Sequence, residues 1–140
     1  MHSFSFPGLK DNFTVTSPKD TRYNCIAWAY GENHKWFWPA KRCYWPTNIP
    51  YENTPEAFIK LFAAIGYQHC EDSLLELGYE KIALYIKDNE PQHAAKQLNN
   101  GKWTSKLGQD IDIQHDTPAC LNGPLYGNAI VFMRRKLSEI

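Results

Sequence analysis

Lys81-Ile82-Ala83-Leu84-Tyr85-Ile86-Lys87 (KIALYIK) decides how the chain folds. The run is nearly continuous in apolar residues and bounded by charges, as expected of a strand buried on both faces. Asp88-Asn89-Glu90-Pro91 follows as a turn. Segments from His93 to Leu98 and from Lys102 to Leu107 then flank Asn99-Asn100-Gly101, and Asn-Gly is the favoured pair of a type I′ hairpin. A last strand is expected from Gly127 to Arg134, around Ala129-Ile130-Val131-Phe132-Met133. The second half of the chain reads as an antiparallel meander.

Upstream of this run the signals change to helix, apart from a short strand expected at Phe13 to Thr16. Asn24 is a good N-cap and Gly31 a good left-handed stop, so a short helix is expected between them. Thr54-Pro55-Glu56 opens a second helix, with Phe58, Leu61, Phe62 and Ile65 on one stripe and Gly66 as the stop. Trp36-Phe37-Trp38-Pro39 and Tyr44-Trp45-Pro46 lie between the helices and are too irregular for either period. Helices first and strands afterwards make an α+β protein, N-terminal helices packed on an antiparallel β-meander. No linker or repeat divides residues 1–140, so one domain is expected.

Fifteen basic residues balance fifteen acidic ones, and neither sign forms long runs. Nucleic acid and anionic membrane surfaces are therefore not expected partners. The N-terminus lacks the basic start and apolar run of a secretory signal, which points to synthesis in the cytoplasm. Four cysteines are expected to be reduced thiols there. No CxxC, HExxH or CxxC…HxxxH spacing occurs, so neither a metal site nor another cofactor is expected.

The chemistry centres on Tyr23-Asn24-Cys25-Ile26-Ala27-Trp28. A cysteine in the first turn of a helix meets unpaired backbone N–H groups, which favour thiolate over thiol and can hold a developing oxyanion. Such a thiol still needs an imidazole to take its proton and a polar group to orient that ring. His93, at the start of a meander strand just after Pro91-Gln92, is the candidate base. If Asn100-Gly101 forms a two-residue turn, His93 lies opposite Gly108, and Asp110 and then Asp112 follow on the same face. A three-residue turn brings Leu107 opposite instead.

The order of a helix-borne Cys, a strand-borne His and a polar residue on the next strand resembles the papain-like cysteine hydrolases, in their compact NlpC/P60 and CHAP branches. Cys25-Ile26-Ala27-Trp28-Ala29 is similar to the nucleophile helix of those families. The stretches 93–98, 103–108 and 112–115 are also similar to a group of small bacterial proteins. The resemblance implies a papain-like fold with Cys25 as nucleophile, His93 as general base and later acid, Asp110 or Asp112 as the orienting group, and Asn24 as an oxyanion donor. Papain-type enzymes carry a glutamine six residues before the nucleophile, where this chain has Lys19.

The implied activity is a thiol-dependent hydrolase or acyl transferase acting on an amide of a peptide or protein, a chemistry shared by proteases, deamidases and effector-type toxins. Trp28, Trp36, Trp38 and Trp45 are candidate walls of the substrate cleft, and the alternative for the loop cluster is a small core of its own. The competing functional reading is a non-catalytic binding or immunity-type protein on the same scaffold, contacting its partner through the aromatic loop.

Overall fold

The computed structural model describes residues 13–17, 23–31, 35–106 and 112–137, with residues 16, 17 and 112 described in backbone alone. The apolar run forms strand β3 (Tyr79–Lys87), buried at every residue from 81 to 86. Strand β4 (Glu90–Gln97) returns beside it through Asp88 and Asn89, both at positive φ (52° and 63°), a region that Asx residues tolerate. Strands β5 (Trp103–Lys106) and β6 (Asp112–His115) extend the meander. β7 (Asn128–Lys136) crosses to the other side of β3, which is therefore paired on both edges.

Two strands from the first half of the chain complete the sheet. β1 (Phe13–Ser17) pairs with β6, and β2 (Gln68–Cys70) pairs with β7, giving the order β1-β6-β5-β4-β3-β7-β2 with every pairing antiparallel. Among the described residues only two short α-helices accompany these seven strands: α1 (Cys25–Tyr30) and α2 (Pro55–Ala63). The protein is thus largely β, and the expectation of an α+β fold, papain-like and NlpC/P60-like with N-terminal helices on a meander, is corrected. The edge strands are five and three residues long and find their partners far along the chain, so local periodicity gives them little weight.

The register of the β4–β5 hairpin also departs from expectation. Gln97 pairs with Trp103 and Lys96 with Thr104, and the Leu98 N–H donates to the Lys102 carbonyl at 2.7 Å. The turn is therefore three residues long, with Gly101 at φ 87° and the Asn100 side chain accepting from the Lys102 N–H at 2.9 Å. The two-residue turn is thereby corrected, while Gly108, expected opposite His93, lies outside the described residues.

The two faces of the sheet have separate cores. Ile82, Leu84, Ile86, Ala94 and Met133 face the helices. Helix α2 lays Phe58, Leu61 and Phe62 on this face, and Trp38 and Trp45 pack on Phe58 at ring separations of 5.3 and 5.1 Å. Residues between the helices therefore serve as a lid on the core, each aromatic pair adding about 1 kcal/mol beyond its burial. Ala83, Tyr85, Ala95, Trp103 and Ile113 face the other way, toward the 3₁₀ turn Pro118–Leu121 and Tyr126.

Candidate active site

Helix α1 is six residues long, far too short to persist alone, and it is held by its caps and by packing on β4 and β5. The Asn24 Oδ1 accepts from the Ala27 N–H at 3.1 Å and from the Phe37 N–H at 3.0 Å, while its Nδ2 donates to the Phe37 carbonyl at 2.8 Å. Gly31, at φ 102°, closes the other end. Asn24 is thus a buried clamp between helix and aromatic loop, and its amide group is already engaged at both atoms. Asn24→Ala should cost about 2 kcal/mol, the sum of a lost cap and stranded Phe37 backbone groups, read as a lower midpoint of urea unfolding.

Cys25 is the first residue of this helix and is 5 % exposed. Burial pushes its thiol up to about 11, against the pull of the Ala94, Ile26 and Cys25 backbone N–H groups and the charge of Lys106. Lys106 is itself fully buried, with its Nζ 5.2 Å from the centroid of the Tyr23 ring. The resting sulfur is therefore a neutral thiol, ringed by donors that would favour its anion.

The sulfur adjoins a cleft of ≈ 320 Å³ lined by Asn24, Cys25, Trp36, Trp38 and Cys43, and closed by Gln92 and Tyr126. Of the four candidate wall residues, Trp36 and Trp38 line it. Trp28 instead stacks on Tyr23 at 5.7 Å, and Trp45 is buried with its Nε1 donating to the Pro50 carbonyl at 2.9 Å. Both of these serve packing.

His93 is fully buried and points to the face of β4 away from α1, since it shares that face with Ala95 and its neighbour Ala94 faces the helix. Its ring stacks flat on Tyr126, 4.1 Å apart and 4° from parallel, and meets Tyr85 edge-on. Neither ring nitrogen has a hydrogen-bond partner, so no bond joins it to the Cys25 sulfur. Burial, reinforced by nearby His115, holds its pKa well below the usual histidine value. Asp110 lies outside the described residues. Asp112 pairs with Lys106 across the β5–β6 ladder in backbone register.

Sequence reasoning missed a second polar group on this face. The fully buried His115 Nδ1 lies 2.8 Å from the Thr117 carbonyl, which can only accept, so Nδ1 carries the proton. Its Nε2 then accepts from the Ser105 hydroxyl at 2.7 Å. Burial brings the His115 pKa down to about 4. Gln92 and Tyr126 were missed as well. Their signals were the proline before Gln92 and the glycines at 123 and 127 that bracket Pro124-Leu125-Tyr126 as a tight loop.

A second cleft of ≈ 310 Å³ lies at the β2 edge, where buried Lys81 meets Asp72 at 2.9 Å and Glu76 at 3.6 Å, and Arg134 also bonds Glu76. Both cations are paired with Asp72 or Glu76, which suits a structural network. Among the described residues no group of three or more His, Cys, Asp or Glu could hold a metal ion, and no helix is long and apolar enough to cross a membrane. All four cysteines are free.

Fold and cleft together define a class: a largely β protein that sets a thiol at a helix start, beneath aromatic walls, with an unpartnered imidazole behind the neighbouring strand. A family model described as a domain of unknown function (DUF7689) matches residues 14–134, and the chain belongs to that family. No curated protein and no solved structure matches the chain.

Proposed function

We propose that the protein is a thiol-dependent hydrolase or acyl transferase, with Cys25 as the nucleophile and His93 as the base. The observation that carries this reading is the sulfur's position: beside the cleft, it faces the N–H groups of Ile26 and Ala94 and the charge of Lys106. Those donors favour negative charge on the sulfur during attack. His93 supports the reading because a fully buried imidazole with two bare nitrogens is costly, and such groups gather where a proton must be moved. Tyr126 both lines the cleft and covers the His93 ring, which sets the imidazole one side chain away from the cleft.

For this reaction β4 must shift so that His93, which faces away from α1 at rest, takes the Cys25 proton as the sulfur attacks the carbonyl carbon. The imidazolium then protonates the leaving amine or alcohol, and water or a second acceptor releases the acyl group from the thioester. The natural acceptor would be an amide of a peptide or protein. A cytoplasmic setting belongs to the same proposal.

One observation favours the competing reading of a non-catalytic binding protein: the unliganded thiol is neutral, with no base bonded to it. Treatment with p-nitrophenyl phenylacetate at pH 7.5 separates the two. The enzyme reading expects an intact-mass increase of one phenylacetyl group, mapped to Cys25 by peptide sequencing and absent from Cys25→Ser. Adducts spread over Cys43, Cys70 and Cys120, or none at all, would favour the binding protein.

A further inference from the structure

We infer that the cleft is built for an uncharged acyl group flanked by apolar or aromatic substituents, and that Gln92 is the residue that holds its carbonyl oxygen. The inference rests on the acyl-enzyme reading for the chemical step alone. Three aromatic side chains, Trp36, Trp38 and Tyr126, supply the walls. Among the described residues lining the cleft, none carries a fixed charge, whereas the β2-edge cleft is lined by Glu71, Asp72, Glu76, Lys81 and Arg134. An anionic or cationic ligand would give up its hydration in the aromatic cleft for no opposite charge on its walls, which disfavours it. Lys106 packs against Tyr23 and does not line the cleft.

The polar end of the cleft comes from two carboxamides, and only one is available. Asn24 is committed to Ala27 and Phe37. Gln92 is the extra residue of a β-bulge: Tyr85 pairs with His93 and Ile86 with Pro91, so Gln92 has no partner across the ladder. Strand alternation puts it on the same face as Ala94, the face of α1. The Gln92 side chain lines the cleft that Cys25 shares, directly before His93 in the chain. Its amide makes no hydrogen bond to another described side chain or backbone group. An amide N–H in the cleft that Cys25 lines can donate to a substrate carbonyl and then to the oxyanion that develops from it.

The test reads binding without catalysis. Cys25→Ala protein with ¹⁵N-labelled indoles is titrated with N-acetylphenylalaninamide and, separately, with the carboxylate N-acetylphenylalanine. The neutral amide should shift the Trp36 and Trp38 indole signals and leave Trp103, on the opposite face, unmoved. The carboxylate should bind about ten-fold or more weakly. Gln92→Ala should weaken the amide about five- to ten-fold. Gln92→Glu, which keeps the size of the side chain, should weaken it at least as much, and an undisturbed Trp103 signal reports that each variant is folded. Equal or tighter binding of the carboxylate, unchanged amide affinity in both Gln92 variants, or no shift at Trp36 and Trp38 would overturn the inference. If these affinities hold while wild-type protein forms no acyl adduct at Cys25, the nucleophile assignment fails and the cleft assignment stands. An adduct at Cys25 with Gln92-independent binding means the reverse.

Discussion

Between pH 6.5 and pH 4 the folded protein should lose about 3 kcal/mol of stability through His115 alone, and His93 should add to the loss. Both imidazoles are fully buried and neutral in the fold, whereas in the unfolded chain each takes up a proton near the ordinary value of 6.5. Over this window the unfolded state binds more protons than the folded state, so stability is complete above pH 6.5 and falls as the pH drops toward 4. The two rings also repel each other when charged, since His115 lowers the His93 value further. Urea unfolding at steps from pH 7.5 to 4.5 measures the slope, and His115→Gln and His93→Gln should each flatten it. A direct check is the pair of histidine C2–H signals, which should not titrate above about pH 5. Normal titration of both near pH 6.5, with a flat stability profile, would contradict the burial described here.

Gly127→Ala should destabilise the fold by at least about 3 kcal/mol. Gly127 has φ +76°, and a Cβ there would lie 2.2 Å from the Ile86 carbonyl oxygen and 2.7 Å from both the Ile86 carbonyl carbon and the Lys87 Cβ. Relief requires β3 and β7 to part at their ends, next to Tyr126 and hence next to His93 and the cleft. Gly31→Ala is the control. Gly31 has φ +102° but nothing within 4 Å of a Cβ, so that change should carry only the left-handed backbone cost of about 1–2 kcal/mol. Comparable unfolding midpoints for the two variants would mean that the close approach at Gly127 is not as described.

The parts of this architecture that are local in the chain were legible in its sequence. Asn24 and Gly31 mark the ends of α1, Thr54-Pro55 the start of α2, and KIALYIK strand β3, because caps, prolines and apolar runs act through near neighbours. Edge strands β1 and β2 close the sheet through distant partners, Phe13 with His115 and Gln68 with Arg134, and their residues carry no pattern that names those partners. The hairpin register turned on one residue, since Asn100-Gly101 suits a two-residue turn while the Asn100–Lys102 bond completes a three-residue one.

The site was legible in part for the same reason. Cys25 announces itself by its place at a helix start, and Trp36 and Trp38 by their density. Alternation along β4 sends His93 and Ala94 to opposite faces, and the bulge that frees Gln92 depends on how β3 and β4 pair. Asn24 reads equally as a cap or an oxyanion donor until Phe37 is seen to take its amide. The Ser105–His115 bond joins adjacent strands through a register that only the assembled sheet defines.

The central claim is that sulfur and imidazole work as one unit although β4 separates them at rest. Its most direct measurement is the pH dependence of Cys25 acylation by p-nitrophenyl phenylacetate, compared between wild type and His93→Ala. The account predicts that wild type acylates readily near neutral pH. In His93→Ala the rate at pH 7.5 should fall about 10²–10⁴-fold and climb only as the thiol itself ionises toward pH 11. Superimposable profiles, both rising toward pH 11, would contradict it, since the thiol would then act with no help from His93.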